Sequence, residues 1–202
     1  MPSPPRRRLG LVLAGGAARG AYEAGVVQYL LEEIPRSLGH DITLDVLSGT
    51  SVGALNACFL AACADQGSRR GRLLVDHWSS LQVESIVRFD RGGVRGFFRG
   101  MLGRPPPVNL LDDRRGGLLD PAGIEEVVRR AVPFPRIQEQ LDQGHLAALT
   151  VSTTHVGTGR TVVFVASRDP LPRWGSDPTI VPVKTRIDAE HALPSAAIPL
   201  LF

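Results

Sequence analysis

The 202 residues predict a three-layer α/β/α domain on a central, largely parallel sheet, and three observations carry that prediction. An apolar run at 9–14 reads as a strand. A Gly/Ala-rich turn, Gly15 to Gly20, follows and leads into helical spacing. A second short strand at 45–48 then enters a Gly-x-Ser-x-Gly turn at Gly49–Gly53 and a strongly apolar helix. Strand, glycine loop, helix, strand, sharp turn, helix is how a parallel α/β layer begins, because parallel neighbours need a crossover between them.

Taken in order, residues 9–14 are apolar throughout, as a strand buried on both faces is. Arg6-Arg7-Arg8 before it has the look of a basic signal n-region, but the apolar run of six residues is shorter than the usual 7–15. A first strand is the better reading. From Ala21, the residues Tyr22, Val26, Tyr29, Leu30 and Ile34 recur at helical spacing and predict a helix ending before Pro35. The helix after the second strand runs from Val52 to about Ala64 and stops near Gly67. Asp120-Pro121 supplies an N-cap and a first-turn proline for a helix to about Ala131. Ala147–Thr154 and Arg160–Ala166 are β-branched runs flanking Gly157-Thr158-Gly159, which predicts a hairpin. No repeat or long linker divides the chain, so residues 1–202 are read as one domain.

Composition narrows the partners. The apolar fraction of 43% fits a globular core. The net charge of +3 is mild, and no basic run is interleaved with stacking aromatics, which argues against nucleic acid. Cys58 and Cys63 lie in one apolar run without a histidine cluster, so they read as buried free thiols in a reducing, cytoplasmic compartment and not as zinc ligands. No metal or cofactor is expected. No apolar stretch reaches the roughly 18–20 residues a membrane span needs.

The segment at about 84–107 differs from the rest. It carries Arg88, Arg91, Arg95, Arg99 and Arg104 against Asp90, with Phe97-Phe98 and Met101-Leu102. Arg91, Arg95 and Arg99 share a helical face, as in an interfacial lid that touches a membrane peripherally. Five glycines there favour a solvated loop instead.

The chemistry sits in the two glycine turns. A serine nucleophile projects from a strained strand-to-helix turn, where larger flanking residues would strike the strand and helix. Ser51, between Gly49 and Gly53, fits that position. The loop Gly15-Gly16-Ala17-Ala18-Arg19-Gly20 fails two nucleotide motifs: Ala17 stands where a dinucleotide loop needs its second glycine, and Ala21-Tyr22 follow where a P-loop needs Lys and Ser/Thr. An oxyanion hole facing Ser51 explains both turns together.

This pair resembles the patatin-like phospholipase family, with its Gly-Gly-Gly-x-Arg/Lys-Gly loop and its Gly-x-Ser-x-Gly turn about 35 residues on. The resemblance continues through the hairpin at Thr153–Arg160 and the Ala192–Pro199 segment, similar to the family's Ala-Ser-x-Ala-x-Pro. It implies a lipid acyl hydrolase without cofactor or metal, acting on phospholipid, lysophospholipid or other lipid esters. By that resemblance Ser51 is the nucleophile, the N–H groups of Gly15, Gly16, Ala17 and Val52 hold the oxyanion, Gly49 and Gly53 shape the elbow, and Arg19 and Gly20 support the loop. Arg19 is open to three roles: bracing the loop, meeting a lipid phosphate, or forming a structural salt bridge.

Two departures stand out. Ala17 replaces the third loop glycine, at a steric cost. The family's catalytic aspartate lies in an Asp-Gly-Gly/Ala motif, and these 202 residues contain no Asp-Gly dipeptide. The expectation is a C-terminally truncated sequence whose aspartate lies beyond residue 202, so that this chain alone is inactive. Of His40, His77, His145, His155 and His191, none sits in a recognisable triad motif, and Asp188 lacks the glycine context. Two other readings stay open: a Ser-His-Asp α/β-hydrolase, and a lipid- or partner-binding module that keeps the fold without the base.

Overall fold

The computed structural model describes residues 8–80, 126, 128–171, 175 and 177–196. The segment at 84–107, the start of the helix expected from Asp120 and the end of the Ala192–Pro199 motif lie outside these residues.

Five strands form one sheet in the order β1 (Gly10–Leu13), β2 (Val46–Thr50), β3 (Ala148–Thr154), β4 (Thr161–Ser167) and β5 (Ile180–Lys184). All neighbouring pairs are parallel except the β3–β4 hairpin. The β-branched runs predicted that hairpin, and its turn at His155–Gly159 closes on His155 N–H donating to Arg160 O at 2.8 Å. The largely parallel α/β sheet is therefore present. Register puts Leu13, Gly49, Val151 and Phe164 in one row across the sheet, and Val12, Ser48, Thr150 and Val165 in the next. Successive residues face opposite sides, so these rows belong to opposite faces.

The first face carries the core. Helix α1 spans Gly20–Leu38, α2 Val52–Ala62, α3 Arg69–Ser80, α4 Phe134–Asp142 and α5 Ala189–Ala196. Apolar residues surround α2 on every side, which marks a central buried helix. Ala54, Ala57 and Ala61 are fully buried and let it lie close to Leu13, Leu47, Leu149 and Val151. Ile137 and Leu141 of α4 and Ala189 and Ala192 of α5 complete the same core. Outside α2, the helices α1 and α3 approach so closely that a Cβ on Gly71 would lie 2.8 Å from Gln28 Cα. Residues 128–131 are helical, in keeping with a helix ending near Ala131. Cys58 and Cys63 are free and buried, and burial pushes the Cys58 thiol up to about 12.

Three expectations need correction. Strand β1 is not buried on both faces: it pairs with β2 alone among the described residues, and Val12 on its open face is 78% exposed. Helix α1 does not end before Pro35. It runs through the proline to Leu38 and stops at Gly39, whose φ of 72° places it in the left-handed region and whose N–H donates to Pro35 O at 2.8 Å. The face of α1 is also inverted. Gly20, Ala24, Val27, Leu31 and Pro35 point inward, while Tyr22 (76%) and Tyr29 (57%) are exposed. Close packing against α2 and α3 selects the small residues, and the tyrosines are left outside.

Candidate active site

Both glycine turns lie at the C-terminal ends of adjacent parallel strands, where open α/β sheets place their ligands. Strand β1 ends at Leu13 and leads through Gly15 and Gly16 to a short 3-10 turn, Ala17–Arg19, before α1. Strand β2 ends at Thr50, one residue before Ser51, and α2 begins at Val52.

Ser51 has φ 56° and ψ −130°. Among the described residues the non-glycine residues with positive φ are Ser51 and Ala17, the latter at 49°. Such conformations cost on the order of 1–3 kcal/mol each and persist only where the surroundings over-determine them. The steric cost expected of Ala17 is thus visible as backbone strain. Around Ser51 the restraint is tight. A Cβ on Gly49 would lie 2.3 Å from Gly53 O and 2.5 Å from Ala54 Cα. One on Gly53 would lie 2.4 Å from Leu13 O and 2.5 Å from Ala14 O. Only glycine lets strand, turn and helix approach this closely.

The same geometry unites the two turns. A Cβ on Gly15 would lie 2.9 Å from Ser51 Cβ and 3.6 Å from Ser51 Oγ, so the loop's first glycine is packed directly on the serine. Gly20, at the loop's far end, lies under Val52 and Trp78, whose atoms would be 2.5 and 2.7 Å from an added Cβ. The Arg19 side chain folds back over Gly16, with Cβ and Nε at 3.2 and 3.3 Å from that glycine's Cβ position. It makes no ion pair with another of the described residues.

Three residues that the motif reading did not single out hold the arrangement. Asn56, 2% exposed, donates from Nδ2 to Gly20 O at 3.1 Å and to Glu23 Oε2 at 3.2 Å. Its Oδ1 accepts Trp78 Nε1–H at 2.9 Å. Both ends of a buried amide are thereby satisfied, and the start of α1 is tied to α2 and α3. Ser195, in α5, accepts the Ser51 N–H at 2.8 Å. Asn56 sits five residues after Ser51 on the buried side of α2, a polar residue in an otherwise apolar helix, and that is the signal that could have found it.

No carboxylate or imidazole hydrogen-bonds to Ser51 Oγ among the described residues. His77 stacks on Phe59, and His155 contacts Thr158 within the hairpin turn. His191 lies edge-on to Phe164 and accepts the Asp188 N–H. Asp188 caps α5 by accepting the Ala189 N–H at 2.5 Å, and it meets Arg129. Each of these groups is engaged elsewhere. No cluster of potential metal ligands occurs among the described residues.

A strained serine on a strand-to-helix turn, packed against a glycine loop that opens another helix, has the form of a nucleophile elbow and its facing loop. The chain belongs to the patatin-like phospholipase family, whose sequence profile it matches over residues 11–202. It is 41% identical over 66 residues to lysophospholipase nte1 of Aspergillus terreus, a stretch that is 33% of this chain and 4% of that protein. Among solved structures it is similar to the type III effector ExoU, at 22% identity and a TM-score of 0.37, covering 79% of this chain and 36% of that one. The ExoU–SpcU complex of Pseudomonas aeruginosa gives 23% identity, 0.36, 78% and 32%. The chain thus spans about a third of the ExoU chains and a small fraction of the lysophospholipase.

Proposed function

We propose that the protein hydrolyses carboxylic ester bonds in lipids, phospholipids or lysophospholipids among them, through a covalent intermediate on Ser51. The observation that carries this is the packing of Gly15 on Ser51, so close that a Cβ added to the glycine would lie 2.9 Å from Ser51 Cβ. A glycine loop with that contact brings its backbone beside the nucleophile and leaves no room for a side chain between them.

In this mechanism Ser51 Oγ attacks the ester carbonyl, and the carbonyl oxygen becomes an oxyanion. The N–H groups of Gly15, Gly16, Ala17 and Val52 take up that charge, aided by the positive end of α2. Collapse of the tetrahedral intermediate expels the alcohol, a glycerol-based leaving group for a glycerolipid, and leaves the acyl chain on Ser51. Water then attacks the acyl-enzyme at the same carbon and releases the fatty acid. Both half-reactions need a general base, and an aspartate of an Asp-Gly-Gly/Ala segment is the group the family supplies. No step requires a metal. Arg19, braced over Gly16, keeps the loop's turn and leaves its guanidinium at the exposed mouth.

A full-length gene product carrying that segment should hydrolyse short-chain p-nitrophenyl esters and lysophosphatidylcholine, and a fluorophosphonate should label Ser51. Ser51→Ala should abolish both. Normal ester hydrolysis by the alanine variant sinks the reading. The second reading, a binding module without turnover, is favoured by the lack of a base at Ser51 among the described residues. It predicts lipid binding without labelling.

A further inference from the structure

We infer that Ser195 is a positioning residue for the nucleophile: its hydroxyl locks the backbone of Ser51 and so holds the elbow in its strained, attack-ready form. The inference rests on the proposal that Ser51 is the nucleophile.

The geometry is a two-bond clamp. Ser195 Oγ accepts the Ser51 N–H at 2.8 Å and donates its own proton to Ser152 O at 2.6 Å. The donated proton is committed to a carbonyl on β3, so the oxygen's lone pairs are left facing the Ser51 N–H. A hydroxyl is both donor and acceptor, which is what this position demands. Alanine can make neither bond. Because its proton and its lone pair are both committed, Ser195 is no acid or base toward Ser51 Oγ. Its effect passes through the backbone.

That backbone needs restraint. Ser51 sits at φ 56° and ψ −130°, a region that persists only where neighbours over-determine it. The glycines at 49 and 53 permit the conformation, and they do not enforce it. The clamp supplies enforcement from a separate part of the chain, 144 residues away in sequence. It joins three elements at one point: the turn between β2 and α2, strand β3, and α5, whose Ala189 and Ala192 are fully buried in the α2 core. The clamp also decides which donors face the substrate. The first N–H groups of a helix lack partners within it, and occupying that of Ser51 directs the carbonyl oxygen to the Val52 N–H and the loop. A nucleophile displaced by about 1 Å loses on the order of 100-fold in rate.

The test compares Ser195→Ala, Ser195→Thr and Ser51→Ala in a protein that carries the aspartate segment. Ser195→Ala should lower kcat and the fluorophosphonate labelling rate by about 10- to 100-fold, with KM changed less than about threefold and a native circular-dichroism spectrum. Ser195→Thr, which keeps the hydroxyl, should recover activity to within a few-fold of wild type. An alanine variant within twofold of wild type, a loss confined to KM, or a threonine variant no better than alanine overturns the inference. If Ser51→Ala keeps its activity, the nucleophile reading itself has failed. A measurement independent of turnover applies to the 202-residue chain as well. The Ser51 amide should be protected from hydrogen exchange and lose at least about tenfold of that protection in Ser195→Ala. Equal protection in the two proteins refutes the clamp, as does an unprotected amide in wild type.

Discussion

Gly53→Ala adds one methyl group where the backbone already fills the space. Its Cβ would lie 2.4 Å from Leu13 O, 2.5 Å from Ala14 O and 2.6 Å from Leu13 C. Comfortable non-bonded contact begins near roughly 3.5 Å, so the shortfall is about 1 Å, and it is against main chain that no rotamer change can move. Overpacking of this kind costs about 3 kcal/mol or more. Opposing it, alanine is the better helix former by about 1 kcal/mol. The net loss is about 2 kcal/mol or more, which for a domain of this size lowers Tm by roughly 4–8 °C. Thermal unfolding followed by circular dichroism measures the shift, and urea unfolding with an unchanged m-value confirms that native stability is what changed. A Gly53→Ala protein melting within about 1 °C of wild type refutes the close approach of β1 to α2 on which the elbow depends.

Gly25→Ala makes the opposite case. This glycine is exposed in α1 with nothing within 4 Å of an added Cβ, so the substitution should raise stability by about 0.5–1 kcal/mol, read as an upward shift of Tm. Asn56→Ala strips the partner from Trp78 Nε1–H and removes the amide's bonds to Gly20 O and Glu23 Oε2. It should cost about 2–3 kcal/mol in urea unfolding and slow phosphonate labelling of Ser51. The Cys58 thiol, ordinarily near 9.0 and raised to about 12 by burial, should resist disulfide exchange reagents at pH 8–9 until the protein unfolds. Because the folded state keeps its proton while the unfolded state loses it, stability is fully present below pH 9 and declines as pH rises from 9 toward 12. Stability that is flat across that window would count against the burial of Cys58.

Much of the fold could be read because its signals are local. Gly49 is needed because a side chain there would strike Gly53 and Ala54, within five residues. The Gly-x-Ser-x-Gly pattern marks the turn as a whole, and the hairpin announces itself through β-branched runs around Gly157 and Gly159. The face of α1 could not be read so easily. Its first turns carry apolar residues all round, so helical spacing alone does not say whether Tyr22 and Tyr29 or Ala24 and Val27 turn inward. Packing against Gly71 of α3 settles it for the small ones, and that contact joins residues over 40 apart. Pro35 misled for a related reason. The bond it removes is a single one, and the left-handed Gly39 cap beyond it lets the helix finish. The partners of Ser195 and Asn56 were hidden because hydrogen bonds across 144 and 36 residues leave no mark in local pattern, although Asn56 itself stands out as a polar residue in an apolar helix.

The bond between Trp78 and Asn56 has a practical side. The sequence has two tryptophans, Trp78 and Trp174, and the indole of Trp78 both covers Gly20 and ends its N–H on the amide that holds Gly20 O. Replacing Trp174 with phenylalanine would leave a single native fluorophore seated against the glycine loop. The emission of that one ring would then report, without any added label, on any change in how Gly20 and the start of α1 pack against α2 and α3.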